Sequence, residues 1–336
     1  MVGSIAWTTL APWLAVAFLM ALAGTFLGRR YALRKQLLDQ PGIRRSHDTP
    51  TPRGGGIAIV AAMVPVFSSL IWPLSAHSAA MAAIGAGLFL VAAIGWLDDH
   101  RPQSPWSRLL VQMLAAGLLG LALLGLGASP AKAACGWLLA MVLVNAWNFM
   151  DGIDGLAASQ AMLAASAYAL FVGTGPALWL GLSLAACCAG FLPLNRPHAR
   201  IFLGDVGSGA LGYLIAVLAS LALLGASWRH APLLLLPVMG FGVDTGLTLA
   251  RRVLRGERWW LPHVQHAYQA WARHAGHGLV TAAFFVWTLA GCGFMLAAGD
   301  ASFTLIMLIS VTWCLAACAA WLYLQRSRGC ATGVEG

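Results

Sequence analysis

The sequence predicts an all-α protein, a polytopic bundle of helices integral to a membrane. Hydrophobic residues make up 60% of its 336 positions and charged residues 9%, and the mean hydropathy is +0.78. Apolar runs recur along the whole chain, each long enough to cross a hydrocarbon layer of about 30 Å as a helix. Basic residues gather in alternate loops, as they do in multi-pass membrane proteins. These three observations exclude a soluble globular chain.

Eleven apolar runs predict eleven transmembrane helices in one domain, residues 1–336. Only Gly173-Thr174-Gly175-Pro176 separates runs six and seven, so ten helices is the alternative. No basic segment precedes the first run, which therefore predicts a retained helix and not a cleaved signal peptide. The runs cover residues 5–27, 55–74, 78–97, 108–126, 133–150, 156–174, 176–193, 208–225, 231–250, 278–297 and 302–324.

The basic residues predict the orientation of the chain. Alternate loops on one side carry 18 of the 20 lysines and arginines, and only Lys132 and Arg229 lie on the other side. The positive-inside rule makes the crowded side cytoplasmic, with the N-terminus outside and the C-terminus inside. The net charge of +9 is thereby explained without a nucleic-acid partner. The basic stretch 29–45 is suited to anionic lipid or a lipid phosphate.

Acidic residues are scarce, and most of them lie where an apolar run meets water. Asp98 and Asp99 end run three, Asp151 and Asp154 lie between runs five and six, and Asp205 precedes run eight. The predicted topology puts all five on the cytoplasmic side. Carboxylates at a lipid boundary are costly and usually functional, so the clustering predicts a shared cation and a phosphorylated substrate. Solvated loop acids remain an alternative for any single motif, though not for all of them.

Electrostatics favours a magnesium site among these acids. Asp98 and Asp99 fall at a predicted helix C-terminus, where the helix dipole is already negative, so we expect a bound proton or cation there. Oxygen ligands, few protein carboxylates and a nearby phosphate are usual for Mg²⁺.

Two glycine-rich segments are candidate anion sites. Gly204 and Gly207 flank Asp205 just before a helix, where backbone amides can approach an anion. Ser208 has an N-cap as its alternative role. Arg53 opens run two beside Gly54-Gly55-Gly56, which could cradle phosphate or simply form a stiff turn.

His263 and His266 lie in the predicted cytoplasmic loop 251–277. A zinc protease would require glutamate beside the first histidine, and Val264 stands there, so contact with a diphosphate is the better prediction. Interfacial histidines beside Trp259 and Trp260 are the alternative. The seven cysteines show neither zinc nor disulfide spacing and read as packing residues.

Five motifs in order resemble the polyprenyl-phosphate N-acetylhexosamine-1-phosphate transferase family, across about residues 44–270. The motifs are Pro50-Thr-Pro-Arg-Gly-Gly-Gly56, Gly95-Trp-Leu-Asp-Asp99, Asn145 to Leu156, Phe191 to Ser208, and His263-Val-Gln-His266. The resemblance implies an integral membrane enzyme of bacterial inner membranes. It would move a sugar 1-phosphate from a UDP-sugar to undecaprenyl phosphate on the cytoplasmic side, with Mg²⁺, or Mn²⁺ in its place, as cofactor. Homodimerisation is an open alternative.

The same resemblance implies roles for individual residues. Asp205, with Asp98 and Asp99, would ligate the metal, and Asp98 would position the acceptor phosphate or remove its residual proton. Asp151 and Asp154 would line the nucleotide-sugar site, and His263 and His266 would contact the diphosphate. We also expect substrate contacts from a set of smaller and polar residues: Arg53, Asn145, Asn148, Asn195, Gly204 and Ser208. Direct displacement is the expected mechanism, with a two-step route through an aspartate as the alternative.

Departures from the family pattern suggest a branch. Val264-Gln265 replaces an arginine common between or beside the family's histidines, and Arg53-Gly54 stands where the peptidoglycan branch carries a methionine-glycine pair. Both favour the branch that begins O-antigen or other surface polysaccharides, with the phospho-N-acetylmuramoyl-pentapeptide transferases as the alternative. A cation- or proton-coupled transporter is the alternative of a different class, because Asp244 lies inside run nine.

Overall fold

A computed structural model describes residues 7–40, 50–72, 77–258, 260–261 and 263–332. Its helices, in chain order, are α1 (Trp7–Arg34), α2 (Ile57–Ile71), α3 (Ser78–His100), α4 (Pro105–Gly125), α5 (Pro130–Met150), α6 (Leu156–Val172), α7 (Gly175–Asn195), α8 (Gly204–Gly225), α9 (Ala231–Leu234), α10 (Met239–Leu254), α11 (Ala267–Ala275), α12 (His277–Ala297) and α13 (Phe303–Thr332). One addition to the all-α prediction is a short antiparallel pair, β1 (Leu38–Asp39) with β2 (Thr51–Pro52).

The predicted polytopic helical bundle is confirmed. Nine helical segments of the described chain are long and apolar enough to cross a membrane, and α2 and α6 are two shorter apolar helices. Each of the eleven predicted runs therefore corresponds to a helical segment. Runs six and seven are separate helices, since Gly173 adopts a left-handed conformation, with φ +74°, and ends α6.

Run nine is the one that differs from a single predicted helix. The segment Trp228–Leu254 contains two 3₁₀ turns, Trp228–His230 and Leu236–Val238, around the short helix α9 before α10 begins. Pro232 and Pro237 lie in this segment and lack the amide hydrogen that a continuous helix would use. Helix α10 begins after this break and leads into the loop that carries the histidines.

Local signals explain where several helices begin. The side chain of Ser104 accepts a hydrogen bond from the Ser107 amide, and Pro105 follows as the first residue of α4. Ser129 and Pro130 start α5 in the same manner. A serine N-cap followed by proline is favourable because proline lacks an amide that the first helical turn would leave unpaired.

Helix α8 is the centre of the bundle. Its apolar window is completely buried, and it packs against α3, α5 and α6. The close packing depends on glycine, because a side chain on Gly56 would overlap Gly207 and one on Gly95 would overlap the Asp205 carbonyl. The beginning of α8 is therefore in contact with the end of α3 and the beginning of α2, where three of the predicted motifs lie.

Candidate active site

One end of the bundle contains a cavity of about 660 Å³. All five motifs contribute to its wall, as the sequence predicted from their position on one side. The predicted site residues that line it are Arg53, Asp98, Asn145, Asn148, Asp151, Asp154, Asn195, Asp205, His263 and His266. Asp99, Gly204 and Ser208 are not among the lining residues.

Asp98 and Asp205 form the acidic centre of the cavity. The Arg108 Nη1 atom lies 2.9 Å from Asp98 Oδ2 and 3.4 Å from Asp205 Oδ2. Asn148 donates to the other oxygen of Asp205, Oδ1, at 2.7 Å, and the Gln103 amide donates to Asp98 Oδ1. Two carboxylates from different helices thus converge on one positive charge, with a neutral donor orienting each of them.

Asp99 points away from the cavity and is 2% exposed. Its Oδ1 accepts from the Asp205 amide and its Oδ2 from the Val206 amide, both at 3.1 Å. The negative C-terminus of α3 is therefore compensated at Asp99 by the positive N-terminus of α8, where we had expected a proton or an external cation. Helix amides thus contact both of its oxygens, and a role for Asp99 as a metal ligand stays a prediction.

Gly204 and Ser208 support the cavity wall from behind. Gly204 has φ +75°, and a Cβ there would lie 2.6 Å from Asp99 Oδ2. Ser208 is fully buried inside α8, not at its N-cap, and its hydroxyl accepts from Asn148 at 3.1 Å. Neither residue lines the cavity, Ser208 helps to position Asn148, and contact of the two residues with substrate stays a prediction.

The glycine-rich turn before α2 is a packing element. The amides of Gly55 and Gly56 donate to the carbonyls of Phe202 and Leu203, at 2.9 and 2.8 Å. These two amides therefore serve the packing of the turn, and contact of the segment with phosphate stays a prediction that depends on Arg53. Arg53 does face the cavity: its Nη2 donates to the Asp99 carbonyl at 2.6 Å, while its buried Nε lacks a partner among the described residues.

Asp154 and Asn195 line the cavity but are held by the chain itself. The amides of His198 and Ala199 donate to Asp154 Oδ2 at 3.0 and 3.2 Å, and His277 Nδ1 lies 3.3 Å from Oδ1. Asn195 accepts from the Gly155 amide and donates to the Ile201 carbonyl. Their contacts fix the loop between α7 and α8 against the start of α6.

Asp151 differs from the other carboxylates, because no described residue donates a hydrogen bond to its side chain. It follows the end of α5 and faces the cavity. Burial, and then the negative charges of Asp205 and Asp99, raise the pKa of Asp151 well above its ordinary value. A carboxylate in this setting is stabilised by taking up a proton or by binding a cation that enters with a ligand.

The histidine loop is anchored by Asp244. His263 and His266 are stacked with ring centroids 4.9 Å apart, and His266 Nδ1 lies 3.4 Å from Asp244 Oδ1. The same carboxylate accepts the amides of Ala267 and Tyr268, each at 3.0 Å, so it also caps α11. His266 Nε2 is buried without a partner among the described residues and belongs to the cavity wall. Trp259 lies outside the described residues.

This arrangement explains Asp244, the residue on which the transporter alternative depended. Sequence reasoning considered an arginine as its partner, but its contacts are a histidine, the Thr248 hydroxyl and two helix amides. Arg252 pairs instead with Glu257, at 3.0 Å. Asp244 is therefore a structural anchor of the cavity wall.

Sequence reasoning missed several residues that line the cavity, including Asp39, Arg108, Gln112, Tyr268 and Gln269. Arg108 and Gln112 are four residues apart in a mostly apolar helix, and Gln112 accepts from Asn145 at 2.9 Å. Polar residues spaced by four on an apolar helix were a usable signal, because they share one face. Asp39 had no such signal, since its place in the wall comes from β1.

The donor set fits an oxygen-ligated cation. The described residues contain no cluster of three or more histidine, cysteine, aspartate or glutamate side chains arranged for a metal ion. Two convergent carboxylates, Asp98 and Asp205, are nevertheless sufficient for Mg²⁺, which usually completes its shell with water and phosphate. The described histidines that line the cavity are not gathered into the cluster of three or more ligand side chains that zinc requires.

Comparisons with known proteins show the family of the chain. Residues 81–223 match the model of glycosyl transferase family 4. The chain is 32% identical, over 76% of each chain, to a Bacillus subtilis protein named probable undecaprenyl-phosphate N-acetylglucosaminyl 1-phosphate transferase. It is 31% identical, over 70% of each chain, to the decaprenyl-phosphate N-acetylglucosaminephosphotransferase of Mycobacterium leprae. It is 36% identical to a phospho-N-acetylmuramoyl-pentapeptide-transferase of Synechococcus, covering 70% of this chain and 67% of the relative.

Proposed function

Because the chain belongs to glycosyl transferase family 4, we propose that it is a polyprenyl-phosphate sugar-1-phosphate transferase. The donor would be a UDP-sugar carrying an N-acetylhexosamine or its 6-deoxy form, and the acceptor undecaprenyl phosphate. The products would be polyprenyl-diphosphate-sugar and UMP, in the first membrane step of O-antigen or another surface polysaccharide. The names of the relatives support the reaction class and an amino-sugar donor.

The observation that carries the proposal is that Asp98 and Asp205 both contact one positive charge, the Arg108 guanidinium, at the wall of the cavity. Transfer between two phosphorylated substrates requires relief of the repulsion between them. A cation held by two carboxylates in a partly enclosed cavity provides that relief. Solvated loop acids or a structural scaffold would not require this convergence.

In the proposed reaction, an oxygen of the lipid phosphate attacks the phosphorus that bears the sugar. The bond from that phosphorus to the bridging oxygen breaks, and UMP leaves with the electron pair. A phosphate monoester has a second pKa of about 6, so the acceptor is mostly dianionic near pH 7 and needs little help from a base. Bound Mg²⁺ would neutralise the diphosphate and stabilise the charge that develops on UMP.

The chain's own residues would bind and orient the substrates. Asp98 and Asp205 would hold the metal, with Asn148 fixing the direction of the Asp205 carboxylate. The unpartnered His266 Nε2 and the Arg53 guanidinium would contact phosphoryl oxygens, and Asp151 would lie close to the donor. A two-step route, with an aspartate attacking first, is separable from displacement by trapping a phosphorylated enzyme.

The proposed location is the bacterial inner membrane, with the cavity open to the cytoplasm. Arg53, Arg101 and Arg108 all lie at the cavity end of the bundle, in agreement with the positive-inside rule. A nucleotide-sugar donor made in the cytoplasm would then reach the site directly, and the acceptor would enter from the bilayer.

The test is UMP release by the purified, folded protein supplied with UDP-N-acetylglucosamine, undecaprenyl phosphate and Mg²⁺. We expect activity that EDTA removes, and a loss of roughly 100-fold or more in Asp205→Asn, because a charge-stabilising ligand is lost. Asp300→Asn is the matched control, since Asp300 is exposed beyond the far end of α12. Metal-independent release, or near-normal turnover in Asp205→Asn, would refute the metal-assisted mechanism.

The sugar is then identified with a panel of UDP-N-acetyl sugars, scored by the mass of the lipid product. UDP-N-acetylmuramoyl-pentapeptide belongs in the panel, because a relative carries that activity in its name. Preference for this donor would assign the chain to the peptidoglycan branch instead.

A further inference from the structure

Arg108 has contacts that its place in the sequence did not predict. It lies in the first turn of α4, and its single Nη1 atom reaches carboxylates on α3 and α8. The arginine side chain is 31% exposed, whereas that of Asp98 is 11% exposed. The side chain of Asp205 is 33% exposed, so Arg108 lies at the cavity wall between one buried and one partly exposed carboxylate.

Each of the two carboxylates has one oxygen committed to the chain and one committed to Arg108. Asp98 Oδ1 accepts from the Gln103 amide and Asp205 Oδ1 from Asn148, so the two Oδ2 atoms remain for a cation. Arg108 Nη1 contacts both Oδ2 atoms. A metal ion bound by the two Oδ2 atoms would need the lone pairs that the guanidinium now uses.

We propose that Arg108 is an internal counter-ion, which neutralises the Asp98–Asp205 pair in the substrate-free protein and is displaced when a divalent cation binds. The inference rests on the proposed function for the identity of the cation. A guanidinium and a divalent ion that both lay within contact distance of the two Oδ2 atoms would repel each other, so they do not share these oxygens. Displacement leaves a long, always charged side chain beside the cavity.

The displaced guanidinium has a suitable second partner in the diphosphate of the donor. Its planar set of donors matches phosphoryl oxygens, and the arginine side chain is long and flexible. A diphosphate would therefore make it easier for Arg108 to leave the carboxylates, and cation binding and donor binding would reinforce each other. Arg108 thus couples the binding of the cation to the binding of the donor. In the absence of donor it weakens cation binding.

The experiment measures Mn²⁺ alone binding to detergent-purified protein, by the loss of the free-ion electron paramagnetic resonance signal. Arg108→Gln removes the internal cation, and we expect its affinity for Mn²⁺ to rise about tenfold or more, because a positive charge within a few ångströms is gone. Arg101→Gln is the matched control. It removes the same charge just past the end of α3, where Arg101 is exposed and does not line the cavity, and we expect less than about a twofold change.

A second readout adds UDP to the Mn²⁺ titration. Wild-type protein is expected to bind Mn²⁺ more tightly when UDP is present, after correction for the Mn²⁺–UDP complex in solution. Arg108→Gln should show a smaller gain, because it has no counter-ion to release. Arg108→Met, a neutral side chain of similar length, replaces the glutamine variant if melting shows that variant to be unfolded.

The experiment distinguishes failure of the Arg108 inference from failure of the proposed metal site. Unchanged or weaker Mn²⁺ binding in both neutral variants, while Asp205→Asn abolishes binding, would overturn the role of Arg108 and leave the metal site intact. Absence of saturable Mn²⁺ binding in wild-type protein, with or without UDP, would overturn the metal site and this inference together.

Discussion

At the scale of single residues, the aspartates in and behind the cavity wall have three different roles, which their hydrogen-bond donors define. Asp99 and Asp154 accept backbone amides and hold segments of the chain together. Asp98 and Asp205 share one arginine nitrogen, and they are the pair that we propose to hold a cation. Asp151 receives no hydrogen bond from a described side chain or amide. All five are aspartates, and their different roles follow from their surroundings alone.

Asp151→Asn is expected to stabilise the metal-free protein at neutral and alkaline pH. Burial and neighbouring carboxylates raise the pKa of Asp151, so between its ordinary pKa and the raised value the folded chain binds more protons than the unfolded chain. The free energy of unfolding therefore falls as the pH rises through that window. Asparagine does not titrate, so the free energy of unfolding of Asp151→Asn should exceed that of the wild-type protein by an amount that grows from pH 4 toward pH 8.

The measurement is the melting temperature of both proteins in detergent with EDTA across that pH range, with Asp300→Asn as the control for loss of one negative charge. The same gain in Asp300→Asn, or no dependence of the difference on pH, would contradict the electrostatic explanation.

At the scale of elements, the beginning of α8 organises the site. Its first amides are capped by Asp99 from α3, and its backbone packs directly on the glycines before α2. Asp205 therefore faces Asp98 because three elements meet without intervening side chains. At the histidine loop, Asp244 of α10 has the corresponding role, since it caps α11 and holds His266.

Gly56→Ala is expected to destabilise the fold by about 1–3 kcal/mol, because the added methyl group would overlap Gly207 in a packed helix contact. The backbone of Gly56 has φ −63°, so alanine causes no strain by itself and the cost reports packing alone. Thermal unfolding in detergent measures it.

Gly117→Ala in α4 is the matched control, since a Cβ there meets no atom within 4 Å. Gly117→Ala should be neutral or slightly stabilising, because alanine favours the helix. Equal melting temperatures for the two variants would show that the contact between Gly56 and Gly207 is not tightly packed.

At the scale of the whole molecule, the bundle has a polar end with the cavity and a far end without the motifs. Arg101 follows the end of α3 at the cavity side, and Asp300 lies between α12 and α13 at the other side. The distribution of arginines predicts that the cavity end faces the cytoplasm.

Labelling with a membrane-impermeant maleimide tests that orientation. In a variant without the seven native cysteines, Asp300→Cys in intact spheroplasts should be labelled, and Arg101→Cys should react only after the membrane is opened. Both positions are exposed, so accessibility depends on the side of the membrane alone. The reverse pattern would place the cavity outside and exclude a cytoplasmic donor.

The sequence by itself determined the helical membrane architecture, the positions of its apolar segments and the side on which the motifs gather. Apolar run length and helix-starting residues are local properties, so they can be read along the chain. It also supplied four of the five aspartates that line the cavity, because scarce acids at a membrane border are conspicuous.

Only the tertiary structure decided what those residues contact. It turned Asp99 toward the helix amides, placed Gly204 and Ser208 behind the wall, brought in Arg108 and Asp39, and gave Asp244 a histidine as its partner. These contacts join elements distant in the chain, and a hydrogen bond forms or fails over a few tenths of an ångström. Spacing along the sequence therefore could not distinguish a ligand-binding carboxylate from one already occupied by the backbone.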